Sequence, residues 1–376
     1  MKSSYITVVF LLLGTIRLSG DVGMTFDVEH GYVSNAFSNY RQLADSYLWL
    51  EGKLYYDHSV KDHSALRFYY QPNGSLFDKF EYRNFNTHQM GIDFYSIVSN
   101  RAKIDGGMTL NSRNHSSEYR LYEYRGGQAY LSFRFLLTDQ LYSYFGISSQ
   151  IRDYQLLSLF SYQQHQLYWR MSKFYSGGLS LFFQADFLQK QYMHVQGSED
   201  LSEFPDSYAA ADGINYQGVI LFKAAQAISP DIGVNLQFLM RKNLVNSPRY
   251  LMTDEGEYYT NDDLFDDIFG YDASMWSSNL KTRLGKMTAE ITGALINKHY
   301  INRFALDLDG YPLADQQLRR DYRTVLSMSL SRTFRYSRSI APFKLVIDFS
   351  MLKNHSNDPY YHYSNRFLGI TVKQSL

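Results

Sequence analysis

The stretch Tyr322-Arg323-Thr324-Val325-Leu326-Ser327-Met328-Ser329-Leu330 decides the fold. Tyr322, Thr324, Leu326, Met328 and Leu330 make one face, and Arg323, Val325, Ser327 and Ser329 make the other. A side-chain period of two belongs to a strand, not a helix. The same alternation returns in Phe343–Met351, where Phe343, Leu345, Ile347, Phe349 and Met351 oppose Lys344, Val346, Asp348 and Ser350. It returns in Ile232–Met240, in Leu179–Phe187 and around Trp169 and Phe133.

An alternating strand buries its apolar face in a soluble sandwich or turns it to lipid in a membrane barrel. Segment length favours the barrel. The segments run about nine to thirteen residues, against about five to six in a usual globular strand. Tyr and Trp gather near segment ends, as in Tyr47, Trp49, Tyr55 and Tyr56, or Tyr168, Trp169 and Tyr175. Amphipathic rings at such places suit a lipid–water boundary. A soluble secreted β-protein is the competing architecture.

Connections alternate in length along the chain. Short ones are expected near 58–63, 98–102, 137–140, 175–178, 229–231, 284–286 and 335–341. Long ones are expected near 35–45, 72–85, 112–122, 152–164, 192–212, 243–268, 298–318 and 354–365. Short periplasmic turns and long external loops mark outer-membrane barrels. The expectation is an all-β, antiparallel up-and-down transmembrane barrel of about 16 strands, with 14 to 18 allowed by an error of one hairpin.

Composition agrees. The chain of 376 residues carries 34 Tyr, 26 Phe and 3 Trp, but no Cys. Disulfides and Cys-ligated metals are excluded. Lys+Arg and Asp+Glu both number 37, so the basic excess of a nucleic-acid-binding domain is missing. Lys2, the apolar run Ile6–Leu13 and the small residues ending at Gly20 read as a secretory signal peptide over 1–20. Residues 21–376 then form a single barrel domain.

Three stretches resemble bacterial outer-membrane β-barrels of the porin-like kind. Gly31-Tyr32-Val33-Ser34-Asn35-Ala36-Phe37 resembles a segment that follows the first strand of such proteins. Asn357-Asp358-Pro359-Tyr360-Tyr361-His362-Tyr363 resembles a last external loop. Arg366–Leu376 resembles a terminal strand, although it ends on Leu376 where an aromatic residue is usual. The resemblance implies an outer-membrane location and outer-membrane lipid as surroundings. It also implies recognition of the C-terminal strand by the barrel assembly machinery, and passage of small polar solutes. Oligomeric state stays open, a homo-oligomer included.

The expected function is a passive channel with a charged lumen. Lumen-facing candidates are Lys53, Arg67, Asp93, Arg134, Arg170, Asp186, Lys223, Arg241, Arg283, Glu290, Arg323, Lys344 and Asp348. Opposed charges in a lumen create a field that sorts ions. The same charges can instead pair across strands. The run Asp254, Glu255, Glu257, Asp262, Asp263, Asp266 and Asp267 lies in the longest loop. Its default state is a solvated surface loop. Folded inward it would narrow the pore in favour of cations, and its carboxylates could also collect Ca²⁺.

Two other functions compete. The barrel could anchor a partner or help assemble or export envelope components. It could also be a hydrolase, with His355, His362 and Asp358 sharing the last loop. No nucleophile turn, metal-binding helix motif or phosphate loop is present, so no catalytic residue, metal ligand or cofactor is expected.

Overall fold

A computed structural model describes residues 22–61, 63–194, 207–208, 213–245, 248–251, 256–335 and 341–376. The expected signal segment, Asp254 and Glu255 lie outside the described residues.

Sixteen antiparallel strands close into one barrel. They are β1 (Val22–Val33), β2 (Asp45–Lys61), β3 (Ser64–Phe77), β4 (Phe85–Ser99), β5 (Ala102–His115), β6 (Tyr124–Thr138), β7 (Leu141–Tyr154) and β8 (Tyr162–Phe174). They continue as β9 (Leu179–Tyr192), β10 (Ile214–Ser229), β11 (Ile232–Val245), β12 (Tyr271–Leu284), β13 (Met287–Phe304), β14 (Leu318–Phe334), β15 (Phe343–Ser356) and β16 (Tyr363–Ser375). Each strand pairs with its neighbours in sequence, and β1 pairs with β16 to complete the ring. The terminal Leu376 takes part, exchanging two backbone hydrogen bonds with Met24. Closure leaves no unpaired edge, which is what lets strands cross hydrocarbon.

The alternation read from Tyr322–Leu330 has a direct structural meaning. One wall face carries exposed apolar side chains: Met108, Leu110, Leu167, Leu236, Trp276 and Leu295 are each 58–62% exposed. Around a soluble protein such a continuous surface would drive association. On a barrel it is the lipid-facing band. A soluble sandwich is ruled out, because no second sheet covers this face within the described residues.

Two local details differ from the expectation. Pro72 does not end the third strand, and β3 runs past it to Phe77. The β2–β3 ladder is interrupted there, with no paired partner for Gln71 or Pro72 on that side, because proline lacks the N–H a ladder needs. The supposed belt aromatics also divide. Tyr56, Trp169 and Tyr175 are exposed. Tyr47, Trp49, Tyr55 and Tyr168 have the opposite parity to Tyr56 or Trp169 and face inward. Tyr47 donates to Glu29, Arg67 lies over Tyr55, and Arg170 lies over Tyr168. Neighbouring residues in a strand cannot share a face, so a cluster in sequence becomes two populations in space.

Several inward tyrosines lie flat across a glycine of the next strand. Tyr69 covers Gly91, Tyr130 covers Gly107 and Tyr168 covers Gly146. A Cβ on Gly91 would sit 2.6 Å from the Tyr69 ring. Glycine is required at these positions for close approach, not for a turn.

The buried core is not between layers but in the loops. Phe37, Tyr119, Leu121, Tyr122, Leu159, Phe160, Leu264 and Phe265 form one cluster, contributed by four different inter-strand connections. Long loops therefore fold together over one end of the barrel.

Candidate channel interior

The connection between β11 and β12 supplies the centre of the site. At Asp262 the chain makes a single hydrogen-bonded turn: the N–H groups of Phe265 and Asp266 both donate to the Asp262 carbonyl, at 3.0 and 2.8 Å. Four carboxylates leave this turn, and each meets a cation on a different strand. Arg113 of β5 lies 3.1 Å from Asp262, and Arg152 of β7 lies 2.7 Å from Asp263. Lys190 of β9 lies 2.5 Å from Asp267, and Lys298 of β13 lies 2.5 Å from Asp266. A segment gripped by β5, β7, β9 and β13 lies within the ring, not on its outer rim.

Neutral groups complete the attachment. The Tyr192 hydroxyl donates to Asp267 at 2.9 Å, and the Tyr300 hydroxyl to Asp266 at 2.5 Å. Arg303 donates to the Phe265 carbonyl at 2.6 Å, and Gln217 to the Ile268 carbonyl at 2.8 Å. The other Asp267 oxygen accepts from Phe269 N–H and caps the next short turn. Lys190 and Asp267 are only 4% and 3% exposed. Burying charges is tolerated when they are paired and hydrogen-bonded like this. Burial alone would raise the Asp266 carboxyl; the charges of Lys298, Arg319 and Arg323 outweigh it and hold this group well below the usual carboxylate range.

The solvated-loop expectation for this acidic run is thus corrected for Asp262, Asp263, Asp266 and Asp267. The physical reason is the inward basic row, whose partners are distant in sequence. Glu257 keeps an exposed position, accepting from Tyr82 at 2.7 Å and lying 3.8 Å from Arg41, and the Asp263 side chain stays 41% exposed although it is paired with Arg152. Among the described residues no group of three or more His, Asp or Glu is arranged around a common metal position.

The first external loop joins the same assembly. Asn39 donates to the Gly256 carbonyl at 2.8 Å, and Thr260 donates to the carbonyls of Phe37 and Ser38 at 3.2 and 3.1 Å. The Gly31–Phe37 segment is therefore a support for the inward turn.

Cross-strand register fixes the other candidates. Paired residues share a face, and the pairing chain links Lys53, Arg67, Asp93, Arg134, Arg170, Asp186, Lys223, Arg241, Arg283, Glu290, Arg323, Lys344 and Asp348 to the face that bears Arg113, Arg152, Lys190 and Lys298. Their local partners differ. Arg67 makes a two-pronged contact with Asp57 at 2.7 and 2.8 Å. Lys53 lies 4.7 Å above the Tyr69 ring. Asp93 accepts from Tyr130 at 3.1 Å. Arg170 donates to Gln184, which donates in turn to Asp186. Arg134 lies near the rings of Tyr142 and Tyr144, and Arg241 lies 3.5 Å from the Tyr271 hydroxyl. Arg283 reaches Asp231 at 4.0 Å, at an exposed turn. Arg323 contacts Asn261 and Tyr363 at 3.5 and 3.4 Å, so it touches the inward loop directly. Glu290 and Asp348 border a recess of about 440 Å³ with Ser327, Ser329 and Ser350. Lys344 stands opposite Lys373 and Thr333, and Lys223 opposite Phe182 and Gln237.

The turn does not fill the interior. A cavity of about 360 Å³ lies between Tyr259 and Asn261 of the inward loop and a wall made by β1 to β5 and β16. Arg83, Arg113, His115 and Trp49 border it. The sequence reading missed Arg83, Arg113, Arg152, Lys190 and Lys298. The last four share the strand alternation and were legible in principle as basic residues near the loop ends of their strands. Arg83 lies outside any alternating segment and carried no signal.

The hydrolase candidates do not converge. The rings of His355 and His362 meet at 5.1 Å, while Asp358 accepts from the backbone N–H groups of Leu306 and Tyr360 at 3.3 and 3.0 Å. Its carboxylate stabilises the loop.

A closed sixteen-strand barrel with a loop folded into its interior defines a porin-type architecture. Solved structures of the same fold include OccK5 (OpdH) of Pseudomonas aeruginosa, with a TM-score of 0.52 and 12% identity over 95% of this chain and 98% of the other. OccAB4 of Acinetobacter baumannii gives 0.52 and 9% identity over 95% and 99%. OccK8 (OprE) of Pseudomonas aeruginosa gives 0.51 and 10% identity over 95% and 98%. At these identities the likeness is one of fold. No family model matches the sequence, and no curated protein matches it.

Proposed function

We propose that this protein is an outer-membrane channel through which small polar solutes diffuse, narrowed by the inward turn at Asp262–Asp267. The observation that carries the reading is the cavity left between the inward loop, at Tyr259 and Asn261, and the wall of β1 to β5 and β16, inside a barrel with an apolar outer surface. The thirteen wall residues from Lys53 to Asp348 line the path and set its field. The turn carboxylates contribute little net field, because each is met by a wall cation. Residues 1–20 direct export, residues 21–376 form the single barrel, and the C-terminal strand is read by the assembly machinery. Purified protein in planar lipid bilayers tests the channel: stepwise conductance is expected, and its consistent absence with folded protein overturns it.

One observation favours a second reading. The aromatic cluster of Phe37, Tyr122, Phe160 and Phe265 knits the loops together over the barrel end. A barrel sealed by that cluster would act as an anchor or assembly partner instead. Folded protein without conductance is its signature.

A further inference from the structure

The outer face of the wall changes character at the loop end of β13 to β16. Cross-strand pairing sets Arg320 opposite His299, Tyr322 opposite His355, Thr324 opposite Lys353 and Met351 opposite Arg366. Tyr322, Met351 and Leu368 are exposed members of the lipid-facing side. Arg320, Lys353 and Arg366 stand two positions from them along the same strands, so they share that face. All three are exposed, as are His355 and His362. The row is continuous in register. Arg320 is the diagonal neighbour of His355, Lys353 follows on the same strand, and Arg366 is the diagonal neighbour of Lys353 on β16. Diagonal neighbours lie about 7–8 Å apart, within reach of long side chains. The His355 ring meets that of His362 at 5.1 Å.

Other sectors of the same rim are balanced or neutral. Arg125 faces Asp153 in register, and Lys242 is bonded to Asp272. The β4–β5 and β8–β9 sectors carry the amides of Asn86, Asn114, Gln163 and Gln191. By contrast, Arg320, Lys353 and Arg366 make no ion pair among the described residues. Carboxylates of the adjoining loops are turned to their own backbone. Asp307 accepts from the N–H groups of Asp309 and Tyr311 at 3.0 and 2.9 Å, and Asp315 from that of Gln317 at 3.3 Å. Like charges gathered on one face of a sheet repel unless something answers them. Directly beneath this row the wall is apolar, at Leu326, Met351 and Leu368. The medium at the level of the row is therefore the lipid headgroup layer and not open water.

We propose that this patch binds the phosphate groups of an anionic lipid in the outer leaflet, whose acyl chains lie on Leu326, Met351 and Leu368. Arg320 and Arg366 offer forked N–H donors that match phosphate oxygens. Lys353 between them adds a compact positive charge. His355 and His362 each offer a ring N–H as a further donor. Basic residues at a membrane surface each strengthen the hold on anionic lipid, and here three stand together with the apolar wall continuing below them. The inference rests on the outer-membrane reading and does not depend on whether the barrel conducts.

Full-length protein in detergent micelles is titrated with diphosphoryl lipid A, its dephosphorylated form and inorganic phosphate, and bound molecules are counted by native mass spectrometry. Diphosphoryl lipid A should bind, and removing its phosphates should weaken it at least about tenfold, the worth of a charge-assisted hydrogen bond. Inorganic phosphate lacks the chains and should also bind at least about tenfold more weakly. Arg320→Gln/Lys353→Gln/Arg366→Gln should weaken diphosphoryl lipid A on the order of a hundredfold. Arg125→Gln, on the same rim but opposite Asp153, should leave it unchanged. Equal binding of the dephosphorylated lipid, or unchanged binding by the folded triple variant, overturns the patch. So does an equal loss in Arg125→Gln, and inorganic phosphate binding as tightly as the lipid would make it an ion site and not a lipid site. If the triple variant does not fold, the wild-type comparison of the two lipids decides. Lipid binding without bilayer conductance supports the patch and removes the channel; conductance without lipid binding removes the patch and keeps the channel.

Discussion

Arg113 and Lys298 stand on opposite walls of the barrel, on the fifth and thirteenth of sixteen strands, and one turn of chain joins them. Arg113 holds Asp262 and Lys298 holds Asp266, four residues further on. The inward loop is therefore a strut between walls, and its attachment can be loosened from either side.

Asp266→Asn leaves Lys298 buried without its carboxylate. Breaking one partner of a buried pair costs about 3–5 kcal/mol. The turn should detach on that side, and single-channel conductance should rise or become noisy. Replacing Lys298 as well, in Asp266→Asn/Lys298→Met, should recover part of the quiet state. Bilayer recordings of both variants check this; identical traces from wild type and Asp266→Asn would show that the strut does not control the opening.

Acid should act late. The folded-state pKa of Asp266 is depressed below the unfolded value of about 3.9. Such a carboxylate stabilises the fold fully above the unfolded pKa, and the contribution fades as pH falls through the folded one. Conductance should hence be steady from pH 7 to about pH 4 as far as this anchor is concerned. Loop release should follow only in stronger acid, and a pH series of channel recordings measures it.

Tyr168 lies on Gly146, and a valine there would force the ring away. Overpacking costs about 1–3 kcal/mol. Gly146→Val should lower the temperature at which the barrel loses its compact electrophoretic form, while Gly177→Ala, at a turn with open space around it, should not.

Arg323 and Lys344 carry positive charge on the inward face. Neutralising both to Gln should move the reversal potential toward cation preference, with the permeability ratio changing on the order of twofold for charges acting through water-filled space. An unchanged ratio would mean that ions do not pass these residues.

Much of this architecture was legible because strand periodicity is local. Tyr322–Leu330 announces its two faces without reference to any other strand, and the loop-length rhythm gives the hairpin order. The parity that separates Tyr55 from Tyr56 was equally available, and grouping them as one belt overlooked it. The fate of the acidic run was not legible. Asp262 and Asp263 look like any solvated pair until Arg113 and Arg152, more than a hundred residues earlier, are brought beside them.

Local patterning was enough for the barrel: alternating side chains, about sixteen segments and their up-and-down order follow from interactions between residue neighbours and from the need to satisfy backbone groups in hydrocarbon, and ring closure sets the count at sixteen. The interior depends on contacts between distant strands. Closing the ring brings β5 to face β13, and that juxtaposition turns an acidic loop into a strut and gathers Arg83, Arg113 and His115 around one cavity. Coulombic pairing acts through space, so its outcome is written in the closed ring and not in any single stretch of chain.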